Sequence, residues 1–544
     1  MIKNKYLHLH DKTIFAISIL LNIIFIILVF ANLNEHQIYT YLNSDTLYLP
    51  SIFKDLFIDK SGLYGWHLNG APNFFPDMIL YFIINAIFKN FILSMFIFSI
   101  IQYSAILLLF YKLFKTLNIN IKLIHISAAN LIMLLFFFVS LITKDFVFTF
   151  YLLSVSYHLG AFVMTVLCLI FTFNYINKND NKFLYYLLFF GTLATISDRL
   201  FIIMYTLPLL SLSILFFFKQ YKKTFIKLFS TILSFTALGL IIFKILKTSS
   251  YIHIISLSWK FLNIGNIKNS FNIMMGQHLK YISLLDLRGL IVILSMISFL
   301  IILGILANNL YKLFKSKEIN NSIIIETAYL LFSTSFCLIV FFMPVINGNY
   351  VSWAMLRYNI YVFYLCIFNY AYILYFFSEK KYIITKVLQT TIIIATIFLV
   401  FISIRISGKT EIKQNLTKFF NYYPTKVKNI DEAAEKNNLK FGVANYWYAK
   451  YITMFSKQDI RLYTVHDNLC PWYHVMNENW YYKNEKGKFK NPEFTFIISN
   501  SINKDIITKK LGIAKDTIQC DNDIQILKYE VFKYDKATRQ PIIK

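Results

Sequence analysis

Asp45, in YLNSDTLYLPSIFKDLF (residues 41–57), and Asp198, in SDRLF (197–201), are carboxylates beside long apolar runs. An acid next to a bilayer is costly unless it faces water, a partner or a substrate. Facing a substrate hydroxyl, it can take the proton as a general base. Two arginines occupy comparable places: Arg199 directly after Asp198, and Arg357, followed by Tyr358, in NGNYVSWAMLRY (347–358). A guanidinium grips phosphate through two parallel hydrogen bonds, so it can hold a phosphate leaving group as negative charge develops. Proton acceptor plus phosphate clamp is the chemistry of group transfer from a phosphate donor. His158 in SYHLG (156–160), Trp66 and His67 in GWHLNGAPNFFPD (65–77), and Trp353 add polar or stacking surface for a substrate.

Each of these residues also has a plainer reading. Asp45 could be the N-cap of a helix over TLYLPSIF, and Asp198–Arg199 a local ion pair or the cap of the following span. Arg357 could snorkel to headgroups, and His158 could hydrogen-bond at the interface. Trp66, His67 and Trp353 could belong to an aromatic belt.

The elements that must position these residues are membrane spans. The chain has 544 residues, 57% hydrophobic and only 15% charged, less charge than a soluble domain of this size carries. Many windows exceed the roughly 18 apolar residues needed to cross a bilayer. The first, 13–33, has no cleavage site after it and reads as a retained span. Net charge is +26, and the basic residues gather in short loops between apolar runs. That is positive-inside patterning, which argues against a nucleic-acid partner. Spans are expected at 13–33, 91–111, 123–142, 157–175, 183–197, 200–218, 225–245, 288–308, 323–345, 357–377 and 386–405. These eleven helices put the N-terminus in the cytoplasm and the C-terminus outside. They leave long external loops at 34–90 and 246–286, with 77–90 lying along the outer surface as a helix.

Residues 1–408 thus form a helical polytopic membrane domain. From 409 to 544 the chain is polar and alternates helix and strand patterns, which predicts an extracytoplasmic α/β domain. Helix, strand and helix are expected along NIDEAAEKNNLKFGVANYWYAKYITMF. Further strands are expected at RLYTV, FTFIIS and DIQILKYEVF, with a helix over INKDIITKKLG. Cys470 and Cys520 could pair there if the compartment is oxidising. There is no fixed-period repeat, Walker A loop, dinucleotide fingerprint or zinc-ligand spacing.

In this topology every candidate residue falls on the outer rim, where ATP and nucleotide sugars are absent and a donor arrives attached to lipid. An acid in the first external loop directly after span 1, surface helices in that loop, Arg-Tyr at the outer start of a late span, and a C-terminal external α/β domain together resemble the GT-C superfamily of integral-membrane glycosyltransferases. Protein mannosyltransferases and lipid A aminoarabinose transferases belong to it. The resemblance covers the architecture of most of the chain, through short motifs. It implies a polyprenyl-phosphate sugar donor, Asp45 as the first-loop catalytic acid, and Arg357-Tyr358 near the donor phosphate. Many members have two adjacent acids in that loop, whereas NSDT offers one. Asp198 is the candidate second acid, and the single acid weakens the case for a divalent metal, the one cofactor left open.

The expected protein is therefore an inverting glycosyltransferase of the cytoplasmic membrane, passing a sugar to an extracytoplasmic acceptor beneath the α/β roof. A transporter or flippase of a lipid-linked glycan is the main rival, and a non-catalytic envelope assembly protein a third reading. Transporters tend to place polar groups near mid-membrane on broken helices. Here Gly (15) and Pro (9) are scarce and the polar residues gather at one rim.

Overall fold

The structure is a computed structural model and describes residues 2–117, 121–217, 221–255, 262–315, 321–380, 382–407, 411–482, 492–521 and 523–543. A chain surrounded by hydrocarbon must satisfy its backbone internally, so long apolar runs become helices. Among the described residues nine helices are long and apolar enough to cross a membrane: Asp11–Ala31, Phe91–Thr116, Leu123–Thr143, Leu159–Lys178, Lys222–Thr248, Leu287–Lys315, Asn321–Ile346, Trp353–Glu379 and Lys386–Arg405. The protein is a multi-pass helical membrane protein.

The other two expected spans, 183–197 and 200–218, correspond to shorter apolar helices, Lys182–Ser197 and Ile202–Leu215. Lys182–Ser197 has 16 residues. At about 1.5 Å per residue it falls short of a core of about 30 Å. The next apolar stretch, Ile202–Leu215, is broken into π, α and 3-10 turns around Pro208. Proline has no N–H to donate and clashes with the preceding turn, so a regular helix does not persist there.

The first loop is built from short pieces. Asn34 caps the helix Glu35–Tyr41 through a capping box. Tyr48–Phe53 follows, then strand β1 (Trp66–Leu68) and the helix Ile79–Phe88. That last helix leaves Ile79, Ile83 and Ile87 exposed at four-residue spacing, an apolar stripe along one face. The second loop contributes strand β2 (Ile252–Ile254) and a 20-residue helix, Ile264–Ser283.

The C-terminal region holds strands β3 (Phe441–Ala444), β4 (Arg461–Thr464), β5 (Met476–Asn477), β6 (Phe494–Ile498), β7 (Asp516–Gln519), β8 (Gln525–Tyr534) and β9 (Pro541–Ile543). Helices Thr425–Asn437, Tyr446–Phe455 and Lys504–Leu511 lie between strands or precede them, as the pattern predicts. The sheet runs β4-β3-β6-β8-β7, with β9 on β8; β4, β3 and β6 are parallel and β8 antiparallel to β6. A second sheet, β2-β1-β5, takes β1 from the first loop, β2 from the second and β5 from the C-terminal region. Those three segments therefore share one side of the helical domain. Cys470 and Cys520 are free thiols.

Two buried polar contacts fasten the C-terminal region to the first loop. Arg461 donates to both oxygens of Asp59 at 2.9 and 3.0 Å. Asp55 accepts from the indoles of Trp66 (2.7 Å) and Trp480 (3.1 Å). Burial pushes the Asp55 carboxyl up to about 6, against the pull of those hydrogen bonds.

Candidate functional site

Asp45 stands in a tight turn that Asn43 organises, its Oδ1 accepting from the amides of Asp45 (2.9 Å) and Thr46 (3.1 Å). The helix Tyr48–Phe53 has Leu47 at its N-cap with no side-chain hydrogen bond, so the Asp45 carboxylate is not a cap. Instead it reaches across the fold. Oδ1 accepts from the Tyr446 hydroxyl at 2.6 Å and Oδ2 from the Tyr157 hydroxyl at 3.2 Å. The same turn is held from above: the Ser44 hydroxyl donates to the Tyr446 carbonyl at 2.9 Å, and Lys450 Nζ donates to the Ser44 carbonyl at 3.1 Å.

His158 precedes the span Leu159–Lys178 with a left-handed backbone (φ +58°), and Ser156 is also left-handed (φ +69°). Each non-glycine residue held there costs on the order of 1–3 kcal/mol, strain that persists where the surroundings over-determine it and that gathers at functional sites. The result is a fixed imidazole. His158 Nδ1 lies 2.6 Å from Asp198 Oδ2, and its ring packs 5.5 Å from that of Tyr358. Asp198 Oδ1 accepts from the Leu200 amide at 2.9 Å. Burial alone would raise the Asp198 carboxyl, but His158, the Leu200 amide and Arg199 hold it below its ordinary value. Close by, Asp77 is pushed up to about 7 by burial and by Asp198. A Cβ on Gly160 would meet Asp77 Oδ1 at 2.3 Å, so this approach requires glycine.

Arg199 donates to the Gly70 carbonyl at 3.3 Å and lies 4.5 Å over the Phe243 ring. Arg357 lies 5.0 Å over the Tyr358 ring and donates to its hydroxyl at 3.3 Å. Asp45, His158, Asp198, Arg199, Arg357 and Tyr358 all line one cavity of about 210 Å³. Three lining residues carry buried polar atoms with no hydrogen-bond partner among the described residues: Arg357 Nε, Ser156 Oγ and Asn347 Oδ1. A buried donor or acceptor left unmade costs about 1–3 kcal/mol, so the cavity wall is suited to a polar occupant that satisfies these atoms.

Three expected site residues lie elsewhere. Trp66 is fully buried with its indole committed to Asp55. His67 faces Glu478 at 3.1 Å, and Trp353 is exposed under the Lys280 ammonium at 4.4 Å. Conversely, the cavity includes His474, and its Asp45 corner is set by Tyr157 and Tyr446, residues that the motifs did not single out. Tyr157 lies inside SYHLG and was within reach of that reading. Tyr446 and His474 come from the C-terminal region, and no local pattern announces that they fold over the first loop. Burial lowers the His474 imidazole to about 4, with Lys450 adding to the effect.

Lys450 offers a test of this roof. Burial pushes its ammonium down to about 7, with Asp45 pulling the other way. A lysine in the unfolded chain titrates near about 10.4. Below pH 7 the folded state therefore bears the full cost of the buried charge, and that cost fades as pH rises through the window between these values. The thermal midpoint should climb from neutral towards about pH 9, and Lys450→Met should flatten the climb. An equal slope in both proteins would remove Lys450 as its source.

No known protein-family model matches the chain, and no curated protein is significantly similar to it.

Proposed function

We propose that the chain is an integral-membrane glycosyltransferase of the GT-C kind, moving a sugar from a polyprenyl-phosphate donor to an extracytoplasmic acceptor. The observation that carries this reading is the convergence of Asp45, the His158–Asp198 pair, Arg199 and Arg357 on one cavity from separate segments at the ends of the helices. The acceptor oxygen attacks the anomeric carbon while its proton passes to an Asp45 oxygen. The bond from that carbon to the phosphate oxygen breaks with its electron pair on the phosphate, and a single displacement inverts the centre. Arg357 and Arg199 hold the departing phosphate, where fixed cations act on charge that develops only as the bond breaks. Tyr157 and Tyr446 aim the Asp45 carboxylate. Asp198 orients the His158 ring beside Tyr358. The C-terminal region roofs the cavity and selects the acceptor.

The orientation rests on the lysine-rich short loops, which mark the cytoplasmic side. Lys182–Ser197 and Ile202–Leu215 are consecutive, so counting both or neither as crossings leaves the two chain ends on opposite sides. A C-terminal alkaline phosphatase fusion should be active; an active cytoplasmic reporter there would reverse the site's compartment and remove the argument for a lipid-linked donor.

The direct test is transfer by the purified protein from polyprenyl-phosphate sugars, together with mass spectrometry of surface glycans from a deletion strain. Wild type should transfer, and the deletion should remove one sugar's mass from a glycan. Arg357→Lys keeps the charge but loses the planar fork, and should lower turnover by about 10²-fold with unchanged melting. Intact surface glycans, with no transfer from any such donor, would refute the reading. A complete lipid-linked glycan accumulating on the inner leaflet would identify a transporter instead.

A further inference from the structure

His67, His253 and Glu478 come from the first external loop, the second external loop and the C-terminal region, and meet on the small β2-β1-β5 sheet. In the parallel β1–β2 pair, His67 stands directly opposite His253. Residues directly opposite in a sheet project from the same face. The imidazoles accordingly lie 4.5 Å apart, centroid to centroid. On the other side, Met476 of β5 stands opposite His67, and Glu478 follows two residues later, on the same face by the strand's period of two. Its Oε2 lies 3.1 Å from His67 Nε2.

One ligand atom from each of the three residues lies within 4.8 Å of the other two, the one such group among the described residues. Tetrahedral zinc with ligand bonds of about 2.0–2.2 Å brings its ligand atoms to about 3.3 Å apart. The His67–Glu478 pair already has that spacing, and small side-chain rotations bring in His253. Two imidazoles and one carboxylate are a ligand set that suits zinc and leaves a fourth position for water. The half-buried side chains of His67 and Glu478 keep some access to solvent.

We propose that His67, His253 and Glu478 bind a divalent transition-metal ion, Zn²⁺ by ligand type, which clamps the two external loops and the C-terminal region together. This site is separate from the cavity but adjoins two of its walls. Asn69, Gly70 and Ala71 follow β1 directly, and His474 lies four residues before Glu478. The clamp therefore sets the position of those walls without touching what the cavity holds. It does not depend on the reaction proposed above.

The experiment uses full-length protein in detergent, with any affinity tag removed. It is stripped with chelator, reloaded with Zn²⁺, desalted and measured for bound metal, with Co²⁺ as a spectroscopic probe. Wild type should retain about one equivalent, as a single three-residue site requires, and show the intense visible absorption of tetrahedral Co²⁺. Zn²⁺ should also raise its melting temperature. His253→Ala and Glu478→Gln should lose the metal, the absorption and the metal-dependent shift, while melting like chelator-treated wild type. Should His253→Ala fail to fold, Glu478→Gln decides, because it keeps the size and a hydrogen bond to His67. Metal retained in Glu478→Gln, or wild type that holds no more than either variant, would overturn the proposal and leave a hydrogen-bonded His–Glu pair beside a tilted histidine ring.

Discussion

Asp45→Asn is expected to insert, fold and melt like the wild type and to lose sugar transfer by about 10²- to 10⁴-fold, the usual worth of a general base. Asparagine keeps the size, and its single oxygen still accepts one of the two tyrosine hydrogen bonds. Its amide group can donate to the other tyrosine oxygen. The fold should lose little, because the carboxylate caps no helix: the helix after it has Leu47 at its N-cap. What disappears is the capacity to take a proton. A further substitution separates position from basicity. Tyr446→Phe removes the 2.6 Å hydrogen bond while leaving the carboxylate, so it should lower transfer less than Asp45→Asn does. Near-normal transfer by Asp45→Asn would move the base to the His158–Asp198 pair, where one imidazole nitrogen is already oriented by a carboxylate.

Arg461→Ala should carry the largest cost in stability. Arg461 and Asp59 are about 8% and 3% exposed at their side chains, and their two hydrogen bonds join strand β4 to the first loop. Removing one partner of a buried ion pair costs about 3–5 kcal/mol, because the remaining charge is left in a medium that solvates it poorly. Lys54, 3.5 Å from Asp59, would compensate only in part, since its own ammonium is lowered first by burial. Proteolysis should then attack the junction between the C-terminal region and the first loop, and the Tyr446–Asp45 contact should fail with it. The double variant Arg461→Met/Asp59→Leu removes both charges and should recover most of the loss, since apolar replacement of a whole buried pair is often neutral. A double variant as unstable as Arg461→Ala would show that the geometry of the pair, rather than its charge balance, holds the junction.

Transmembrane helices were legible in the sequence because their cause is local. Twenty consecutive apolar residues must satisfy their own backbone in hydrocarbon, whatever lies beside them. The α/β pattern after residue 408 was legible for a similar reason: periods of 3.6 and 2 record which face each element buries. The gathering of Asp45, His158, Asp198, Arg199 and Arg357 could be expected from the eleven-span topology, which puts their loops on one side of the bilayer. Which of them meet could not. Tyr446 reaches Asp45 across 401 residues of chain, and His67, His253 and Glu478 share no spacing because each lies in a different segment. Trp66 and His67 stand one residue apart from each other and close to the cavity-lining Asn69, yet strand pairing turns one towards Asp55 and the other towards Glu478. Hydropathy and local propensity are properties of a segment and travel with it. Contact between segments depends on how helices, loops and sheet pack together, and only the tertiary structure decided it.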